Sequence, residues 1–111
     1  MELLVIILNK TDCLEKLLKK LAEGNIKGAT ILDSRGFAHS LLEIDELRFV
    51  ASLRKLLDPF AKESKTIFMV IEKEKIQTVS KIVNEVTGGL SKPDTGILFS
   101  VPVNYCEGLT L

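Results

Sequence analysis

Leu3-Leu4-Val5-Ile6-Ile7-Leu8 decides the fold, because the chain repeats its character at Thr66-Ile67-Phe68-Met69-Val70-Ile71. Each run is aliphatic or β-branched and short, which reads as a buried strand. Each is followed by a helical pattern and then by a further apolar run. That run is Ala29-Thr30-Ile31-Leu32 in the first case and Gly96-Ile97-Leu98-Phe99-Ser100-Val101 in the second. Two strand–helix–strand halves in 111 residues predict a single α+β domain over 1–111, a βαββαβ arrangement with both helices on one face of a four-stranded antiparallel sheet. Right-handed crossovers set the expected strand order at 4-1-3-2. This is the ferredoxin-like sandwich.

The helices between the runs are marked by period. Leu14, Leu17, Leu18 and Leu21 fall at i, i+3, i+4 and i+7 and form one apolar stripe. Thr11 or Asp12 is placed to cap this helix, and Asp12 with Glu15 reads as a capping box. Gly24-Asn25 is its expected stop through left-handed geometry. The second helix turns Ile76, Val79, Val83 and Val86 inward and stops at Gly88-Gly89. Its β-branched residues lower intrinsic helicity, so packing on the sheet must hold it. Gly28 is expected to open the second strand and Asp33-Ser34-Arg35-Gly36 to close it.

The first and third strands are apolar at both parities, whereas a sheet with one wet face should alternate. The face away from the helices therefore also calls for cover, and self-association supplies it most simply. Between the halves, Asp45-Glu46 starts a further helical pattern through Leu47, Val50, Leu53, Leu56 and Leu57, which Asp58-Pro59 stops. This extra helix in the central connection reads as a third core or interface helix, or as a docking helix for a partner protein.

Composition excludes several classes. Apolar residues make up 46% of the chain, too many for disorder. Fifteen basic and fifteen acidic residues cancel, which argues against nucleic acid or an anionic membrane bound through bulk charge. The longest apolar run is far short of the ~20 residues that span a bilayer. The start carries the acidic Glu2 rather than the basic region of a signal peptide, so a cytoplasmic protein is expected. Cys13 and Cys106 are expected to be reduced and structural.

Two segments are more specific than the scaffold. One is Gly28-Ala29-Thr30-Ile31-Leu32-Asp33-Ser34-Arg35-Gly36-Phe37, a strand leaving through a Gly-Phe corner. The other is Thr87-Gly88-Gly89 followed by Gly96-Ile97-Leu98-Phe99-Ser100-Val101-Pro102-Val103. With the doubled halves they resemble the PII signalling proteins of nitrogen regulation, whose second strand enters a large loop through a Gly-Phe-Gly corner. Those proteins also have a Thr-Gly loop before a strand ending in Pro-Val. The resemblance covers nearly the whole chain except its middle.

It implies a ferredoxin-like homotrimer with adenine-nucleotide pockets between subunits, acting in signal transduction on a transporter or an enzyme. Carried over, Gly36, Phe37 and Ala38 form the corner, Thr30 lies below it on the strand, and His39 stands where the family has a phosphate-binding Arg. Gly88, Gly89 and Gly96 belong to the second loop, and Lys92 is its replacement cation. Ala38 replaces the second corner glycine and Ile97 a phosphate-contacting Lys, and the family's C-terminal arginines are missing. The implied ligand is thus ATP, ADP or AMP at low affinity, and the implied partner surface is residues 40–62. Without a ligand, the same scaffold is an oligomeric interaction module. A metal-linked trimer resembling CutA shares it.

Read singly, the candidate residues have plainer roles. His39 is the only histidine, and no second His or Cys stands at ligand spacing, so no metal site is expected. Phe37 reads as a core or interface aromatic and Lys92 as a turn residue. Cys106 reads as a small buried hydrophobe, and Asp33, Asp45 and Glu46 as caps or turn residues. No nucleophile is paired with a base, and an enzyme is not expected.

Overall fold

A computed structural model describes residues 1–42 and 63–109. The helix expected over 45–57 lies outside them, as does most of the docking stretch 40–62. Strand β1 (Glu2–Leu8) leads through a 3-10 turn (Thr11–Cys13) into helix α1 (Leu14–Glu23), then β2 (Thr30–Arg35) and a short helix α2 (Phe37–Leu42). Strand β3 (Glu63–Ile71) leads through a second 3-10 turn (Lys73–Lys75) into helix α3 (Ile76–Thr87) and then β4 (Gly96–Pro102). The sheet is antiparallel throughout, in the order β2-β3-β1-β4. This is the expected 4-1-3-2 order read from the other edge, and the α+β ferredoxin-like class holds.

Register puts every second residue of the strands against the helices. Leu4 faces Met69, and Ile6 faces Ile67, in the β1–β3 ladder. These four join Leu8, Ile71, Leu17, Leu21, Val79 and Val83 in one buried cluster. Leu14, Ile76 and Val86 pack around it, so both predicted helical stripes face the sheet. At roughly 1.5–3 kcal/mol for each fully buried aliphatic side chain, this cluster dominates the stability of the domain.

Helix ends depart from expectation in detail. No side-chain cap bond starts the 3-10 turn or α1, so the Asp12–Glu15 capping box does not form. The turn satisfies the first donors with backbone instead: Thr11 N–H donates to Asn9 O at 2.9 Å and Cys13 N–H to Lys10 O at 3.1 Å. At the far end of α1 the left-handed residue is Asn25 (φ 70), with Gly24 at φ −80. Gly24 leaves room for α3, because a Cβ there would lie 2.9 Å from Ile82 Cδ1. Helix α3 does stop on a left-handed Gly88 (φ 87).

β2 starts at Thr30 rather than Gly28 and runs through Arg35. Asp33 is therefore a strand residue, not a turn, and its carboxylate pairs with Lys65 across the ladder. The Gly-Phe corner does not form a loop. The chain enters α2 directly after Gly36, and Ser40 N–H donates to Gly36 O at 3.0 Å. Phe37 is 80% exposed, which removes it from the core. Both cysteines are free; Cys13 is half-buried, but Cys106 is exposed and is not the buried hydrophobe expected.

The face away from the helices is apolar and open. Thr30, Phe68, Val5 and Phe99 form one row across the sheet, and Leu32, Thr66, Ile7 and Ile97 the next. Leu32, Ile97, Phe99 and Val101 are between 43% and 56% exposed, and Leu3, Val5, Ile7, Phe68 and Val70 are half-buried. A polar corner interrupts this face, where Ser34 Oγ lies 2.8 Å from Ser64 Oγ and accepts from Thr66 Oγ1 at 2.8 Å.

Candidate functional site

The nine carried-over positions fall into three places. Gly36, Phe37, Ala38 and His39 follow β2, the strand at one edge of the sheet. Gly88, Gly89, Lys92 and Gly96 precede or begin β4, the other edge. Asp33, Lys65, Leu8 and Gly96 stand in one row, so both groups sit at the same end of the sheet. Three strand spacings of ~4.8 Å separate the edges by about 14 Å. One chain therefore does not bring the groups together. Thr30 lies six positions before Gly36, at the other end of β2, and faces the open side.

The loop of residues 88–96 is held from within. Gly88 N–H donates to Asn84 O at 3.1 Å and Gly89 N–H to Thr87 Oγ1 at 3.3 Å. Leu90 N–H donates to Asn84 Oδ1 at 2.8 Å and Lys92 N–H to Gly89 O at 3.2 Å. The backbone donors that a phosphate cradle would need are committed at these four positions. Gly96 has a steric reason to be glycine. At φ +150 it packs on β1 so closely that a Cβ would lie 2.4 Å from Ile7 O.

Lys10 belongs to this place and had no mark in the sequence. Its Nζ donates to Thr87 O at 3.2 Å, across 77 positions, and Cys13 Sγ lies 3.6 Å from Val86 O. Lys92 Nζ stands 3.6 Å from where a Cβ on Gly88 would be. Two ammonium groups thus gather where the last carbonyls of α3 concentrate negative charge. The site accepts cationic side chains and spends part of their charge on the helix. Asn9 and Lys10 N–H both donate to Thr95 O, at 3.0 and 3.2 Å, and fix the loop to the exit of β1. His39 is half-buried on α2 and engaged in a contact.

A cleft of about 470 Å³ opens at the other end of the sheet. It exists because β2 starts late. The β1–β3 ladder runs to Glu2↔Ile71, whereas the β2–β3 ladder ends at Thr30↔Phe68. Residues 25–29 swing away from β3, and Met69, Val70 and Ile71 pair on the β1 side alone. Residues 25–30 form one wall and 68–72 the other, with Lys75 and Leu109 completing it. Its size suits a small molecule, and apolar walls with a few placed polar groups are what such sites use. Of the predicted site residues only Thr30 lines it. The late start of β2 was the missing signal, since Gly28-Ala29 reads locally as the strand's opening.

Among the described residues no group of three or more His, Cys, Asp or Glu stands where it could hold a metal ion. No helix among them is long and apolar enough to cross a membrane. No family model matches the chain, and no curated protein matches it either.

Proposed function

We propose that this chain is a PII-like regulatory protein: a cytoplasmic homotrimer that senses a small ligand in its subunit clefts and controls a partner protein, such as a transporter or an enzyme of nitrogen metabolism. One observation carries the reading. The α2 group and the 88–96 loop lie at one end of the sheet but on opposite edges, with an exposed apolar face between them. Copies packed through that face bring the α2 end of one against the 88–96 loop of the next. A contiguous apolar face of this kind marks an interaction surface. The ligand is an adenine nucleotide held weakly, because Lys92 and Lys10 are the cations at the loop and Lys10 is already bonded to Thr87 O.

The test has two parts on the same sample. Light scattering should give a mass of three chains, and calorimetry with ATP, ADP and AMP should show binding at millimolar concentration. A monomer at micromolar concentration overturns the assembly. A trimer that binds none of the three overturns the nucleotide and leaves the second reading, a ligand-free interaction module. The committed N–H groups of Gly88, Gly89, Leu90 and Lys92 favour that second reading.

A further inference from the structure

The C-terminal segment crosses one end of the sheet, from the β4 side to the β3 side. After β4, Val103 N–H donates to Met1 O at 3.1 Å, which extends the β1–β4 register by one position before the chain crosses the end of the sheet. Residues 104–109 are exposed, and the side-chain bonds found among them stay within the segment: Tyr105 Oη donates to the Glu107 carboxylate, and Cys106 Sγ lies 4.0 Å from Glu107 O. The segment begins next to β1 and β4 yet ends on the far side of β3, where Leu109 becomes a wall of the cleft. Gly108, at φ +84 with open space around it, makes the bend before Leu109.

We propose that the cleft between residues 25–30 and 68–72, with Leu109 as a further wall, takes a small molecule with a flat apolar body and a donor–acceptor edge. The body fits against Ile26, Val70 and Leu109. The edge pairs with β3, whose alternate residues among Met69, Val70 and Ile71 turn N–H and C=O toward the cleft where β2 has left them. Unpaired strand edges bind whatever presents matching groups in the strand plane. Leu109 is 41% exposed and becomes buried when the body of the ligand lies against it. All lining residues come from one chain, but Thr30, Phe68 and Val70 are shared with the open face, so binding is read at residues 25–29, Ile71 and Leu109, which the rows of that face do not include.

Benzimidazole is a suitable probe, being flat, neutral and apolar with a nitrogen acceptor and an N–H donor on one edge. Titrated into the full chain and followed by amide and methyl NMR, it should shift resonances of residues 25–30 and 68–72 together with the Leu109 methyls. Leu109→Ala should weaken binding about fivefold, the loss of a leucyl wall, while the α1 and α3 resonances stay in place. Shifts confined to the open sheet face, no shifts at all, or equal affinity in wild type and Leu109→Ala would each overturn the proposal.

Discussion

Replacing Gly96 by alanine tests whether this residue serves a ligand or the sheet. A Cβ there would meet Ile7 O at 2.4 Å, Leu8 Cα at 3.3 Å and Ile7 C at 3.4 Å. An ordinary carbon–oxygen contact is about 3.3–3.6 Å, so β1 and β4 must separate by about 1 Å locally. β1 cannot yield cheaply, since it is paired on both sides and Ile6 and Leu8 are 0% exposed in the core. Forcing an extra carbon into a packed site costs about 1–3 kcal/mol, and an alanine at φ +150 adds backbone strain of about 1–3 kcal/mol. We expect a loss of about 3 kcal/mol, a large share of the roughly 5–15 kcal/mol that holds a domain. Followed by circular dichroism in urea, this lowers the midpoint by about 1.5 M at a slope of about 2 kcal/mol/M. Gly28→Ala is the control: a Cβ added there would meet nothing within 4 Å, and its stability should stay within about 1 kcal/mol of wild type. A Gly96→Ala protein as stable as that control would refute the steric account and return Gly96 to the ligand.

Other perturbations reach the remaining claims. Phe99→Lys places a charge in the middle of the open face, where Phe99 is 43% exposed; it should convert the proposed trimer to monomers by light scattering while the chain stays folded. Lys10→Met removes the ammonium bonded to Thr87 O and should cost about 1 kcal/mol in a denaturant melt, with faster amide exchange over residues 88–92. The Glu107 carboxylate accepting from Tyr105 holds that phenol above its ordinary pKa, with desolvation adding to the same direction. Glu107→Gln should bring the ultraviolet titration of Tyr105, the only tyrosine, down toward the ordinary value.

The fold was legible because its information is local and repeated. Leu3 to Leu8 and Thr66 to Ile71 declare strands by composition, the leucine and valine stripes declare helices by period, and chain handedness leaves one strand order. Boundaries were less legible where a long-range contact decides them. Gly28-Ala29 has strand character, but no partner meets it on β3, so β2 begins two residues later. Gly36-Phe37 has corner character, but the residues after it close a helical turn onto Gly36 O. Asp33 has turn character, and Lys65 makes it a strand residue.

The candidate site was legible only as positions, and its chemistry follows from pairings that no local pattern carries. A run such as Thr87-Gly88-Gly89 suggests free backbone donors, yet Asn84 Oδ1, Asn84 O and Thr87 Oγ1 receive the N–H groups of Leu90, Gly88 and Gly89. Lys10 and Leu109 reach the two candidate places through contacts with residues far along the chain, one at the end of α3 and the other at the cleft. Both act where a regular element stops: α3 leaves its last carbonyls to Lys10, and β2 leaves the last residues of β3 to the cleft. Unsatisfied backbone groups are the polar resource of a chain otherwise short of site residues. The helix end is filled by a lysine from the same chain, and the strand edge beyond Thr30 stays open at the cleft.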